Sequence, residues 1–437
     1  MIREIEDYVR SLGLDAYLVG GAVRDELLGL DSKDADFLVP GVDTETLRAR
    51  LAPHGRVEDL VVAERLVGIR LHPRDKTVRT LTPAGIEFAP PRKEVSTGRG
   101  RHDFEIVADP SLSVDDDMRR RDFTVNAMAR RLEDGEIVDP LDGRSDLEWG
   151  VLRAVSDTSF AEDPLRIVRG LRFVSQLGFA FEGRTLEQMR EEAPAVTLLS
   201  GERVSDELSK LLLAPRPESA LLLARDTGVL VQLIPAFAAV PDELSDHIFA
   251  VVQASADAGD DLAVRLAALF HDVGKPIDPD PLGHARVGAE IAGETLFRLR
   301  FPTRLTSSVV AIVAAHPYRE EDRPRTPAQA RRFLMEHGDD LAFELVAMRL
   351  ADLRAKDRDT SGLQEVRASL ENELSAPHRL SDLAVDGDDL IALGFAPGPK
   401  LGQALRELLE LVVEDPHANT RDRLLTHAKV AGWPLSI

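Results

Sequence analysis

Two adjacent glycines, an arginine and two alternating aspartates fall within positions 17–37, YLVGGAVRDELLGLDSKDADF. Tyr17-Leu18-Val19 has the apolar character of a short buried strand, Gly20-Gly21 breaks it, and Ala22 to Leu28 carries helix formers. Strand, glycine turn and helix start leave backbone N–H groups at a positive helix end, where a phosphate is stabilised. Gly21 belongs to that turn, and Arg24, one turn on, adds a charged fork to the same anion. Asp34-Ala35-Asp36 then runs into a second apolar strand, Phe37-Leu38-Val39. Residues i and i+2 of a strand face one side, so Asp34 and Asp36 converge. Two carboxylates beside a phosphate cradle predict a divalent metal, Mg2+, bound to a nucleoside triphosphate. A glycine turn alone, or an Asp-x-Asp alone, equally describes a common turn or a solvated loop. Their order and spacing carry the prediction.

A second cluster is Arg119-Arg120-Arg121-Asp122-Phe123-Thr124-Val125-Asn126-Ala127-Met128-Ala129. Its arginines, Arg121 among them, could contact a triphosphate, and Asp122 and Asn126 offer polar groups to a ribose hydroxyl. Phe123, Val125 and Met128 read as core; a basic, solvated helix start is the plainer alternative. The third cluster is Glu162-Asp163-Pro164-Leu165-Arg166-Ile167-Val168-Arg169-Gly170-Leu171-Arg172-Phe173. Pro164 suits the first turn of a helix and Asp163 its cap. Arg166, Arg169 and Arg172 follow at i+3 steps, so neighbours touch while the stripe winds around the helix. A capped surface helix with basic decoration fits these residues too.

The elements that must position these clusters change character along the chain. Up to about residue 140, strand-like runs (Tyr17–Val19, Phe37–Val39, Val67–Leu71, Ile86–Phe88) alternate with short helices, an α/β pattern. From Asp157 onward strands nearly vanish, and helical periodicity continues to the end, with Ser375 to Gly387 as the last junction. A chain of 437 residues calls for two to four domains, and a 43% hydrophobic fraction excludes general disorder. No stretch is long and apolar enough for a membrane span, the charged start is unlike a signal peptide, and there is no cysteine. A cytoplasmic protein with no obligate protein partner is expected. The formal net charge of −22 argues against a generic nucleic-acid binder, so any RNA would have to meet a local basic patch against a repulsive background.

The clusters, in this order, resemble the class II CCA-adding enzymes, the tRNA nucleotidyltransferase and poly(A) polymerase family. The matching residues are Gly20-Gly21-Ala22-Val23-Arg24-Asp25, Asp34-Ala35-Asp36, Arg120 through Ala127 and Glu162 through Arg166. Asp139-Pro140-Leu141 and Gly387 through Phe395 extend the likeness to nearly the whole chain. The resemblance implies an α+β fold: a polymerase-β-like head of mixed α/β structure, then an all-α neck, HD-type body and tail. The boundaries expected are 1–140 for the head, 141–225 for the neck, 226–370 for the body and 371–437 for the tail. It also implies addition of C, C and A from CTP and ATP to the 3′ end of tRNA by a two-metal mechanism. Asp34 and Asp36 would hold the ions, one activating the primer hydroxyl and one holding the leaving diphosphate. Glu87, in the strand-like Ile86-Glu87-Phe88, is the candidate third carboxylate, and Glu94 is its rival.

The same resemblance assigns the helix Glu162–Phe173 to base selection, with Asp163, Arg166, Arg169 and Arg172 as nucleotide-binding residues. A carboxylate accepts from an exocyclic amine and a guanidinium donates to a ring nitrogen, so Asp163 with Arg166 would accept C and A and reject U and G. Further on, Leu269-Phe270-His271-Asp272-Val273-Gly274-Lys275-Pro276, with His247 and Asp352, resembles the HD phosphohydrolases. There, two histidines and two aspartates bind a divalent metal (Mn, Ni or Co) that activates water. His284 and His316 are expected nearby as auxiliary ligands or phosphate contacts. A scaffold that binds no metal is the alternative. Arg319, Arg323, Arg325, Arg331 and Arg332 are candidate tRNA contacts, against the reading of a solvated arginine-rich loop. Enzymes adding only CC or only A, and poly(A) polymerases, share the head motifs; an HD phosphohydrolase with an inactive head is the reading from another class.

Overall fold

The computed structural model describes residues 2–31, 35–62, 65–96, 104–317 and 323–430. The chain divides into two units, Met1–Pro235 and Ala236–Ile437. The first contains a seven-stranded mixed sheet in the order β3-β4-β5-β2-β1-β8-β9. Its strands are β1 (Tyr17–Val19), β2 (Asp36–Leu38), β3 (Gly55–Val62), β4 (Arg65–Pro73), β5 (Ile86–Ala89), β8 (Ala129–Arg131) and β9 (Ile137–Val138), while β6 (Arg92–Ser96) and β7 (Phe104–Ala108) form a separate hairpin. All four strand-like runs are strands, with shifted ends: β2 begins one residue early, which brings Asp36 into the ladder.

Alternation along these strands sorts the side chains onto two faces. Phe37, Ile69, Leu71, Ile86 and Phe88 are buried, with Phe37 and Phe88 stacked 5.6 Å apart, and the helix Thr44–Leu51 packs against β4. The residues between them, Asp36, Arg70 and Glu87, face the other way, toward solvent. Strand β3 escaped sequence reading because an edge strand is exposed on most positions, so Gly55-Arg56-Val57-Glu58-Asp59 shows no clean apolar alternation.

The arginine run 119–121 stands at the end of a helix, Val114–Arg119, and not at a helix start. Ser113 and Asp116 form a capping box, and the acidic first turn and basic last turn both suit the helix dipole. Phe123, Val125 and Met128 are fully buried. After Asp157 the one strand among the described residues is Ala180–Phe181, which pairs with Val151–Leu152, and the other elements are helices.

The second unit is helical. The helices Asp242–Asp257, Leu262–Phe270, Pro281–Arg298, Thr303–Ala315 and Asp339–Ala355 form its first part. Its last part is a small core of Val385, Leu390, Phe395, Leu408, Val412 and Leu424. No helix among the described residues is long and apolar enough to cross a membrane. Of the arginines expected to meet tRNA, Arg331 is buried instead. Its Nε donates to the Val413 carbonyl at 2.7 Å and its Nη1 to Glu373 at 2.5 Å, so it closes the end of the helix Pro399–Glu414. A guanidinium committed to orphan helix carbonyls satisfies groups that would otherwise be unpaired, and is not on offer to RNA. Arg332 pairs with Glu410 and Glu414, Arg323 pairs with Glu365, and Arg319 lies outside the described residues.

Candidate active site

The glycine turn, the arginine run and the helix Leu165–Leu177 meet at one cavity of about 630 Å³ in the first unit. Gly21, Arg24, Asp36, Glu87, Arg121, Asp122, Asp163, Arg166, Arg169 and Arg172 all line it. Asp34 lies outside the described residues, and the side chain of Glu94 does too. The turn needs glycine at position 20. Its φ is +71°, and a Cβ there would stand 2.5 Å from Arg121 Nη1.

On the solvent face of the sheet, register builds a charged row across four strands. Asp36 in β2 is the partner of Glu87 in parallel β5; Glu87 opposes Arg70 in β4, which opposes Glu58 in β3. Arg70 donates to Glu87 Oε1 from Nη2 at 2.5 Å and from Nε at 3.2 Å. Hydrogen bonding to Glu87 is the main cause of the raised Arg70 pKa. Glu87 is therefore held beside Asp36.

Deeper in, Asp122 and Asn126 organise the basic wall. Asp122 accepts from the Phe123 N–H at 2.8 Å, from Asn126 Nδ2 at 3.0 Å and from Arg169 Nε at 2.9 Å. Burial opposes its charge, but Arg169 and the hydrogen bonds from Asn126, Arg169 and Phe123 outweigh burial and bring its pKa down to about 2. Asn126 Oδ1 accepts from Arg24 Nη1 at 2.7 Å. Three guanidinium carbons, of Arg24, Arg169 and Arg172, lie 5.1, 5.8 and 4.4 Å from the ring centre of Phe173, an arrangement that stabilises closely spaced cations.

The two residues expected to read the base touch other groups. Asp163 Oδ1 accepts from the Leu165 N–H at 3.1 Å, acting as a cap, and Oδ2 accepts from Arg203 Nη2 at 2.8 Å. Arg166 donates to the Ser159 carbonyl, to Glu162 and, at 2.7 Å, to the Arg120 carbonyl.

Sequence reading missed several supports. Arg203 and Lys210 also line the cavity, and Glu207 on the same helix, Gly201–Leu213, pairs with Arg172 at 2.8 Å and Arg169 at 3.6 Å. The i, i+4, i+7 spacing of Arg203, Glu207 and Lys210 puts them on one helix face and was a readable signal. Asp117 is fully buried and pairs with Arg120 and Arg121 at i+3 and i+4.

The second unit holds a cluster of six titratable side chains from its helices. His247, His271 and Asp352 form one group with convergent ligand atoms; Asp272, His284 and His316 form another. His271, His284 and His316 each place Nδ1 against a backbone carbonyl (Ala268 at 2.8 Å, Asp280 at 3.0 Å, Val313 at 2.6 Å). That fixes the Nδ1–H tautomer and turns each Nε2 lone pair into the cluster. Gly274 admits the neighbouring helix: a Cβ there would stand 2.2 Å from the His284 carbonyl oxygen. Burial opposes the charge of Asp272, yet His271, His316 and Lys275 hold its carboxyl well below the usual range. Burial pushes the His284 and His316 imidazoles down. The buried Nε2 atoms of His247 and His271 each face a carboxylate, Asp352 at 3.2 Å and Asp272 at 3.2 Å, a nitrogen and oxygen donor set that suits a divalent cation.

Comparison with known proteins accounts for the arrangement. Residues 16–153 match the poly A polymerase head domain, 178–240 match the probable RNA and SrmB-binding site of polymerase A, and 244–356 match the HD domain. The multifunctional CCA protein of Laribacter hongkongensis is 36% identical over 341 residues, covering 74% of this chain and 80% of the relative. The A-adding tRNA nucleotidyltransferase of Deinococcus radiodurans is 34% identical over 431 residues, covering 90% and 91%. The crystal structure of the Bacillus stearothermophilus CCA-adding enzyme in complex with CTP shares the fold, with a TM-score of 0.70 at 24% identity over 98% of this chain and 96% of that one. Both the head family and the HD domains depend on divalent metal ions. An arginine-walled cavity under a glycine turn, the ordered motifs and relatives of 34–36% identity covering 74% and 90% of the chain lead to one family: this chain is a nucleotidyltransferase of the tRNA nucleotidyltransferase and poly(A) polymerase family, with an HD domain.

Proposed function

We propose that the chain adds C, C and A to the 3′ end of tRNA, without a nucleic-acid template, from CTP and ATP and with release of diphosphate. The observation that carries this reading is the in-register Asp36–Glu87 pair beside an arginine-lined cavity whose volume suits a nucleoside triphosphate. Asp36, together with Asp34, supplies the hard oxygen donors that Mg2+ requires. Bound there, the ions would neutralise phosphoryl charge and acidify the 3′-hydroxyl. Arg70 occupies Glu87 Oε1, so Oε2 remains for the attacking hydroxyl. Arg24, Arg121, Arg169 and Arg172 balance the triphosphate charge, and the Asp122–Asn126 pair fixes two of them. Asp163 accepts the exocyclic amine of C or A and Arg166 donates to the adjacent ring nitrogen; U and G present the reverse pattern. The head (1–140), neck (141–225), body (226–370) and tail (371–437) divide the work, and a cytoplasmic location goes with the tRNA substrate.

One finding favours a narrower reading, addition of the terminal A alone: the A-adding relative matches this chain over 90% of its length. One experiment tests both. tRNA ending before CCA, after C and after CC is offered with labelled CTP and ATP. Extension of all three supports the full reaction, extension of the CC-ended form alone supports the narrower one, and no extension of any overturns both.

The six-residue cluster supports a second activity, metal-dependent hydrolysis of small phosphodiesters such as 2′,3′-cyclic nucleotides. His247, His271, Asp272 and Asp352 would hold Mn, Ni or Co, with His284 and His316 as further ligands or phosphate contacts. A bound ion would supply an activated water. Lys275 and Lys356, each 2.5 Å from a cluster carboxylate, are placed to meet the phosphate.

A further inference from the structure

At the edge of the sheet a second cleft, of about 550 Å³, is lined by Arg56, His72, Arg74 and Arg79 together with Gly55 and Pro73. No carboxylate lines it, in a chain with 76 acidic residues against 54 lysines and arginines. Among the described residues the guanidinium groups of Arg74 and Arg79 have no hydrogen-bond or ion-pair partner. The nearby Asp75 is spent on capping the helix Lys76–Leu81 through the Thr77 and Val78 N–H groups. Glu58 takes His72 at 3.2 Å and lies 3.9 Å from Arg56. Three arginines and a histidine lining one cleft make a local basic patch on an otherwise acidic chain, and a cleft lined by one sign of charge concentrates counter-ions.

The cleft is related to the carboxylate row by register. Arg56 and His72 are two residues from Glu58 and Arg70 on their strands, so they face the same side of the sheet as Glu87 and Asp36. Arg74 follows four residues after Arg70, about 13 Å along the strand direction at roughly 3.3 Å per residue. A polyanion whose end reached Asp36 and Glu87 could therefore continue over the same face into a cation-lined cleft. A free triphosphate is already matched by the separate cavity that Arg24, Arg121 and Arg169 line.

We propose that this cleft binds a backbone phosphate of the RNA substrate, upstream of its reacting 3′ end. The assignment rests on the reading that the head extends an RNA strand. Contacts of this kind position a strand without reading its sequence, as an enzyme acting on many RNAs requires.

The test compares the wild-type chain with the Arg74→Ala/Arg79→Ala double variant and with Arg74→Lys/Arg79→Lys, using tRNA lacking its 3′ end. Direct RNA affinity is measured by mobility shift between low and moderate salt, alongside KM for CTP and ATP. The alanine variant should bind RNA about tenfold more weakly at low salt, with a salt slope shallower by about one to two. Its KM values for the triphosphates and its kcat at saturating RNA should be unchanged, and the lysine variant should stay near wild type. Unchanged RNA affinity and slope in the alanine variant would overturn the proposal, as would a raised triphosphate KM with RNA binding intact. A wild-type chain that binds RNA through this cleft yet extends no RNA end would fail the nucleotidyltransferase reading while leaving the cleft assignment standing.

Discussion

The head cavity and the HD cluster both gather ionisable groups, but they do so with opposite materials. The head uses strands in register to align exposed acids, Asp36 beside Glu87, and surrounds them with arginines whose charge is permanent. The HD cluster uses helices to bury histidines and aspartates around a cavity of about 180 Å³, with Nδ1 of three imidazoles tied to backbone carbonyls. An open, cationic site suits a large polyanion. A small, buried, nitrogen-rich site suits a metal ion and one phosphate. The contrast predicts that the two can be disabled separately.

The sharpest break comes from Asp36→Ala. Nucleotide addition should fall by at least about a thousandfold, because the carboxylate proposed to hold the catalytic ion is lost. Hydrolysis of cyclic nucleotides by the same variant should stay near wild type; parallel loss of both would mean that the sites are not independent. The converse variant, Asp272→Ala, should abolish the hydrolysis and weaken Mn2+ binding, measured calorimetrically, by at least about a hundredfold. Nucleotide addition should change less than twofold, and unchanged Mn2+ affinity would remove the metal assignment.

A third test concerns what holds the head's arginines. Asp122 titrates at about 2 against an ordinary 3.8. Because its native pKa is depressed, the stabilisation is fully present above the unfolded value and is lost as pH falls from about 4 to about 2. The shift corresponds to about 2 kcal/mol. In denaturant melts, Asp122→Asn should lower stability by at least that amount at pH 7, with the gap to wild type closing below pH 4. A gap independent of pH would show that packing, not charge, is what the substitution removes.

The smallest effect expected is on base choice. Arg203→Ala frees Asp163 Oδ2 and should relax discrimination against UTP and GTP about tenfold, a loss of about 1–2 kcal/mol in one hydrogen-bonded contact. Asp163→Ala should relax it at least as far. If either variant slows CTP and UTP incorporation equally, the Asp163–Arg203 pair supports the helix and does not read the base.

The chemistry was legible in the sequence because it depends on residue type and local spacing. Gly20-Gly21 with Arg24, the Arg119–Asp122 run, Asp163 with Arg166, and His271-Asp272 with Gly274 each lie within one or two turns of chain, where geometry follows from period alone. The head's strands at 17–19, 67–71 and 86–88 were legible for the same reason, as buried apolar runs. Three other facts were decided only by tertiary structure. Register alone puts Glu87 next to Asp36, since the two strands are separated in sequence by the β3–β4 hairpin, and a slip of one residue would turn Glu87 to the apolar face. Arg331, read as a surface arginine, is buried because the end of a helix some 80 residues later needs its donors. The pairing of Asp163 with Arg203, and of Arg169 and Arg172 with Glu207, joins helices that sequence separates by about 40 residues. Residue types and local periods are set by the chain itself; which charges end up sharing a partner is set by packing, because ion pairs form between neighbours in space.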